Sequence, residues 1–270
     1  MTATFATVLR PRLAAFFVGA ALAVPVAFAQ QSTSATTSAA PQSADLAALK
    51  KTLEQKFPGA EIKYVAKSPY FGLYEAALGD QMIYTDKKAD QIIVGSIYDV
   101  ATKTNLTDAK MRKLNRVDIA KLPMELAFKK VKGNGARKLI VFSDADCPFC
   151  HRLESEMKNL DNVTIYTFLF PIDQLHPDAA NKSKKIWCAP DKAKAWDEFF
   201  ASGRVPDNAG DCGDPVEQTQ ALGNSLKVNA TPTLIFADGT MMPGALQLSQ
   251  IEKEMAAADA EVKKLAAAPK

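Results

Sequence analysis

The spacing of apolar side chains changes several times along the chain, and each change predicts a different element. In residues 45–57 (DLAALKKTLEQKF), Leu46, Leu49, Leu53 and Phe57 recur at the three-to-four spacing of one helical face. Asp45 is the expected cap and Pro58-Gly59 the stop. Residues 61–66, 73–78, 81–85 and 91–98 are short runs rich in Ile, Val and Tyr, separated by Ser68-Pro69, Gly79-Asp80 and a charged turn at 86–90. They predict antiparallel strands, with Gly79-Asp80 as a hairpin turn. Residues 107–132 are charged and helix-forming, with Leu114, Val117, Ile119 and Leu122 as regular apolar points and a new helical stretch from Pro123; Gly133-Asn134-Gly135 then breaks the chain.

Beyond that break the pattern becomes more apolar. Residues 137–143 (RKLIVFS) form a compact buried strand, followed by a loop, a helical run through Met157 and a further strand at 163–170. A long helical region precedes a strand at 233–237 (TLIFA), a turn at Asp238-Gly239 and a last helix from Leu248 towards Ala267. The order predicts a βαβ unit followed by a ββα unit.

The first 29 residues carry Arg10 and Arg12, no acidic residue, an apolar run from Leu13 to Phe28, and the small-x-small ending Ala27-Phe28-Ala29. This is the pattern of a secretory signal cleaved before Gln30. A membrane anchor is the alternative, but the run is short and lacks a basic stop-transfer flank. Residues 30–44, made almost wholly of Ser, Thr, Ala and Gln, predict a flexible leader. Removing the signal leaves 31 basic against 30 acidic residues, so charge points to no nucleic-acid partner. The helix and four strands at 45–106 bury little surface alone, which predicts that they lean on a second copy of the chain; packing on the neighbouring domain is the alternative.

Export changes how the four cysteines are read. Cys147-Pro148-Phe149-Cys150 stands at a strand-to-helix junction. There, unpaired backbone N–H groups and the helix dipole would hold Cys147 as an accessible thiolate, the attacking nucleophile, with Cys150 one turn on as the resolving thiol. Phe149 lies between them and is a candidate substrate contact. Thr231-Pro232 opens an apolar strand, where a proline cannot give a ladder hydrogen bond. In a thioredoxin-like fold this proline is cis and faces the CxxC, and Thr231 presents backbone groups to an extended substrate peptide. An edge-strand proline without a role is the alternative. Cys188 and Cys212, both in the helical region, are expected to pair as a structural disulfide in an exported chain; buried free thiols are the alternative.

Other chemistries fit less well. Cys147 to His151 satisfies the CxxCH haem pattern, yet the motif follows a buried strand, and haem leaves Pro232 unexplained. Zinc lacks ligands, with two histidines (His151, His176) and no second close cysteine pair, so no metal and no cofactor is expected. Asp144 and Asp146 would oppose a thiolate and read as solvated loop residues. His151 could add positive charge near Cys147 or simply lie on the surface.

Taken with Gly72-Leu73-Tyr74-Glu75, Val141-Phe142-Ser143-Asp144, Cys147 to His151, Ile186-Trp187-Cys188-Ala189, Cys212, Thr231-Pro232 and Asp238-Gly239-Thr240, the chain resembles the DsbC family of periplasmic disulfide isomerases, with DsbG proteins close by. The resemblance implies an α+β fold: a small, cystatin-like N-terminal dimerisation domain at 45–106, linker helices at 107–135, and a thioredoxin-like catalytic domain with a helical insertion at 136–268. It further implies a V-shaped homodimer in the periplasm, an uncharged cleft for misfolded exported proteins, chaperone-like activity, a membrane reductant of the DsbD type, and Cys188–Cys212 as the second, structural disulfide. DsbC proteins commonly carry Gly-Tyr between the cysteines and DsbG proteins Pro-Tyr. Pro148-Phe149 is nearer the latter, which leaves three readings: isomerase, reductase of protein sulfenic acids, or a non-enzymatic chaperone.

Overall fold

The computed structural model describes residues 40–267, with side chains from 43 onward. The expected signal, and the leader up to residue 39, lie outside the described residues. Helix α1 (Ala40–Lys56) begins upstream of Asp45, which is therefore no cap; its carboxylate pairs instead with Lys87 at 2.8 Å. Leu49 and Leu53 on α1 are buried with Ile62, Ala76 and Ile83 against a four-stranded antiparallel sheet. Its strands β1 (Ile62–Lys67), β2 (Tyr74–Leu78), β3 (Gln81–Thr85) and β4 (Ile92–Val94) lie in chain order. Gly79, at φ +57°, turns the β2–β3 hairpin in a conformation glycine adopts without steric cost.

The strand expected at 91–98 ends at Val94. Tyr98–Asp99 (β5) pairs separately with Thr104–Asn105 (β6), and Asn105 caps helix α2 (Leu106–Leu114) by accepting from the Asp108 N–H at 3.0 Å. Met111 and Leu114 of α2 pack with Ala77, Met82 and Tyr84 on the other face of the sheet.

The helical reading of 107–132 holds only as far as Leu114. Short 3-10 turns at Ile119–Lys121 and Met124–Leu126 follow, and then a strand, β7 (Phe128–Lys132). The lysines explain the error. β7 is a sheet edge, where lysines are tolerated, and Lys130 reaches Asp197 while Lys132 donates to the Met157 and Lys158 carbonyls at 2.7 and 2.6 Å.

The second sheet has the order β11-β10-β8-β9-β7. β8 (Arg137–Ser143) and β9 (Val163–Leu169) are parallel and joined through helix α3 (Pro148–Met157), while β10 (Thr233–Phe236) runs antiparallel to β8. Alternation along β8 sends Leu139 and Val141 to one core with Leu153, Ile251 and Met255, and Ile140 and Phe142 to another with Phe168, Phe170 and Ile235. Each fully buried large apolar side chain contributes roughly 1.5–3 kcal/mol. Helices α4 (Ala179–Trp187), α5 (Lys192–Ser202) and α6 (Val216–Ser225) make up the insertion, and α7 (Leu248–Ala267) closes the unit. The edge strand β11 (Met241–Pro243) is the second strand of the expected ββα unit; its position was not read from the sequence, because three residues carry too little periodicity to announce a strand.

The segment after α2 is fastened to this second sheet. Val117 donates to the Gly239 carbonyl at 2.8 Å, and Arg116 pairs with Asp238 at 2.6 Å and Glu261 at 3.3 Å. Gly239, at φ +84°, must lack a side chain, since a Cβ there would sit 2.1 Å from the Val117 oxygen.

Candidate active site

Helix α3 starts where the sequence requires it to. Cys147 is its N-cap, in extended conformation, and Pro148 takes the first helical position, where its fixed φ fits and its missing N–H goes unneeded. The Cys147 carbonyl accepts from the Cys150 and His151 N–H groups at 3.0 and 3.2 Å. Its sulfur lies 3.3 Å from the Thr231 carbonyl, and the Thr231–Pro232 peptide bond is cis. Thus the fold gathers Cys147, Phe149, Cys150, Thr231 and Pro232 at the ends of β8 and β10, while Cys188 and Cys212 are joined to each other by a disulfide at the end of α4.

The two thiols of the CxxC differ sharply. Cys147 is brought down from the usual 9.0 to about 5, first by a hydrogen bond from the Cys150 thiol, then by the Thr231 side chain and the backbone N–H groups of Cys150 and Phe149, against the opposing effect of burial. Cys150 is pushed up, first by burial and then by Cys147 itself. Cys147 keeps 4% of its surface exposed and Cys150 none. The order of access matches expectation, but the attacking thiol is far less open than the sequence suggested. The exposed member of the loop is Phe149, at 60%.

Asp144 and Asp146 are not solvated loop residues. Asp144 is fully buried; its carboxylate accepts from the N–H groups of Asp146 and Ile172, both at 2.8 Å, and lies 2.9 Å from His176 Nδ1. Its own N–H donates to the Cys150 sulfur at 3.4 Å. The reading of Asp144 failed because it assumed a carboxylate must stay in water, whereas three hydrogen bonds here replace that water. Asp146 pairs with Lys182 on α4.

Beside the site, the His151 ring lies tilted against Phe200 with centroids 4.3 Å apart, and Phe200 lies 4.5 Å from Trp196. The Trp196 indole donates to buried Glu154 at 2.8 Å, and burial pushes that carboxyl up. His176, Lys182, Glu154 and Trp196 were missed from sequence. Only His176, one of two histidines, offered a signal.

The second sheet and its cysteine-bearing helix are thioredoxin-like, and residues 124–259 match the family described as a thioredoxin-like domain. Residues 37–108 match the N-terminal domain of disulfide bond isomerase proteins. The chain is 39% identical over 208 residues to a probable thiol:disulfide interchange protein DsbC of Bordetella parapertussis, covering 77% of this chain and 73% of that one. It is 30% identical to the thiol:disulfide interchange protein DsbC of Escherichia coli K12, over 74% of this chain and 83% of that one. A solved disulfide interchange protein from Neisseria gonorrhoeae is 43% identical over 51% of this chain and 98% of its own, with a TM-score of 0.49. The chain belongs to the DsbC family of thiol:disulfide interchange proteins, and its activity is that of a thiol:disulfide oxidoreductase.

Proposed function

We propose that this protein is a periplasmic disulfide isomerase that rearranges wrong disulfides in exported proteins through Cys147 and Cys150. The observation that carries the reading is the depressed Cys147 thiol at the start of α3, 3.3 Å from the Thr231 carbonyl. The Cys147 thiolate attacks one sulfur of a substrate disulfide: the Cys147–substrate bond forms, the substrate S–S bond breaks, and the second substrate sulfur leaves as a thiolate that solvent protonates. When another substrate thiolate attacks the mixed disulfide, Cys147 is released and no net electrons move, which is isomerisation. When Cys150, deprotonated during the exchange, attacks instead, the substrate gains two electrons and Cys147–Cys150 is oxidised. A membrane reductant of the DsbD type then restores it. Thr231 and Pro232 present the docking edge for the extended substrate, and Phe149 offers it an apolar contact. Cys188–Cys212 has a structural role.

Dimerisation through the N-terminal sheet is part of this reading. Supporting it is β4, an edge strand whose Ile92, Ile93 and Val94 are 42–56% exposed, a surface that invites pairing with a second copy. The expected result for Ile93→Lys is a monomer in sedimentation, with Cys147 reactivity retained. The catalytic reading is tested by refolding a scrambled multi-disulfide substrate with wild type and Cys147→Ser. Loss of isomerisation in the variant supports it, and full retention overturns it. Aggregation suppression that survives the substitution assigns an added chaperone role.

A further inference from the structure

The loop that delivers Cys147 carries two carboxylates, Asp144 and Asp146, and a negative charge beside a thiol opposes its ionisation. The hydrogen bonds that depress the Cys147 thiol come from Cys150, Thr231 and the backbone, and a cation held on a neighbouring carboxylate would keep that carboxylate from working against them. We propose that Lys182 is a positioning residue for the redox site: it neutralises Asp146, the carboxylate immediately before Cys147, and thereby sustains the thiolate. This rests on the reading of Cys147 as the attacking thiol.

The geometry is specific. Lys182 Nζ lies 2.7 and 2.9 Å from the two carboxylate oxygens of Asp146, and both side chains are only 24% exposed, so water screens the pair incompletely. Asp178, the N-cap residue of α4, holds the same ammonium at 3.2 Å. Both carboxylates stabilise the charged form of Lys182.

The loop backbone at Asp146 is held in place. Its N–H is bonded to the Asp144 carboxylate, which also receives the N–H of Ile172 and faces His176 on the segment leading into α4. The segment 172–182 therefore grips the redox loop at two points, one at each carboxylate. On α3 the neighbouring titratable groups are Cys150 and His151, and the β10 side presents neutral Thr231. With the ammonium removed, the charge on Asp146 would act on Cys147 uncompensated. The thiolate would be disfavoured and the dithiol couple would become less oxidising.

The test is iodoacetamide alkylation of Cys147 in reduced full-length protein across pH 3.5 to 9, resolved by mass, for wild type, Lys182→Ala, Lys182→Arg, Asp146→Asn and the double variant Asp146→Asn/Lys182→Ala. Lys182→Ala is expected to raise the ionisation midpoint by about half to one unit, slowing alkylation about threefold to tenfold below the midpoint. Lys182→Arg should stay near wild type. Asp146→Asn should shift the midpoint the opposite way, downward, which damage to the fold would not do, and the double variant should return to within about twofold of wild type. An unmoved midpoint in Lys182→Ala overturns the proposal, as does an unmoved or raised one in Asp146→Asn, or a double variant no different from Lys182→Ala. A wild-type midpoint in the ordinary thiol range, near about 8.5, would instead overturn the reading of Cys147 on which the proposal rests.

Discussion

The chain holds two pairs of cysteines, and their surroundings run against the intuition that reactive thiols are exposed and structural ones buried. Cys147 and Cys150 are both buried, yet Cys147 is brought down to about 5. Cys188 is half-buried and Cys212 exposed, yet these two are joined as a disulfide. The difference lies in the helix ends. Cys147 caps the N-terminus of α3, where the dipole and free N–H groups favour an anion. Cys188 caps the C-terminus of α4, the negative end of the helix dipole, which does not favour an anion. Hydrogen bonds to the sulfur, from the Cys150 thiol first and from the N–H groups at the helix start after it, separate the thiol set up for exchange from the bond left alone more than solvent access does.

The largest break in this comparison is Cys147→Ser, for which we expect exchange with a model disulfide to fall to background in a turnover assay. Replacing both Cys188 and Cys212 by Ala should cost about 3 kcal/mol of stability in urea titrations, because the closed loop no longer restrains the unfolded chain. The alkylation midpoint of Cys147 should not follow; if it does, the two pairs are coupled and the contrast is lost. Cys150→Ala, which removes the hydrogen bond that contributes most to depressing Cys147, should raise that midpoint by about one unit and leave mixed disulfides unresolved on gels. Smallest of all, Phe149→Ala should raise KM for an unfolded substrate about threefold with kcat nearly unchanged, as expected for loss of one exposed aromatic contact.

The pairs also differ in how pH acts on stability. Folding lowers Cys147 from 9.0 to about 5, so its stabilisation of the reduced protein is fully present above about pH 9 and is lost as pH falls through that window. In denaturant titrations the reduced form should therefore weaken on acidification relative to the Cys147–Cys150 oxidised form, which has no thiol to titrate.

Much of this was legible in the sequence because local signals agreed with the fold. The expected bounds of β8, α3 and α7 match the structure, since a continuous apolar run, a Pro at the first helical turn and a long amphipathic period each have one good solution. The failures fall where tertiary context overrides pattern. β7 looked helical because, after the buried Phe128, its inward-facing positions are Lys130 and Lys132, so no apolar alternation declares the face. Asp144 looked solvated because the partners that satisfy it, Ile172 and His176, lie 28 and 32 residues away in sequence. The Asp146–Lys182 pair, 36 residues apart, was hidden for the same reason. Meanwhile the CxxC and the Thr231-Pro232 step carry their chemistry in two to four adjacent residues.

The account stands on the ionisation of one sulfur, and the most direct measurement is the pH dependence of Cys147 alkylation in the reduced wild-type protein. It predicts a rate that rises with a midpoint near pH 5 and is flat above about pH 6. A rate still climbing through pH 8 would contradict it.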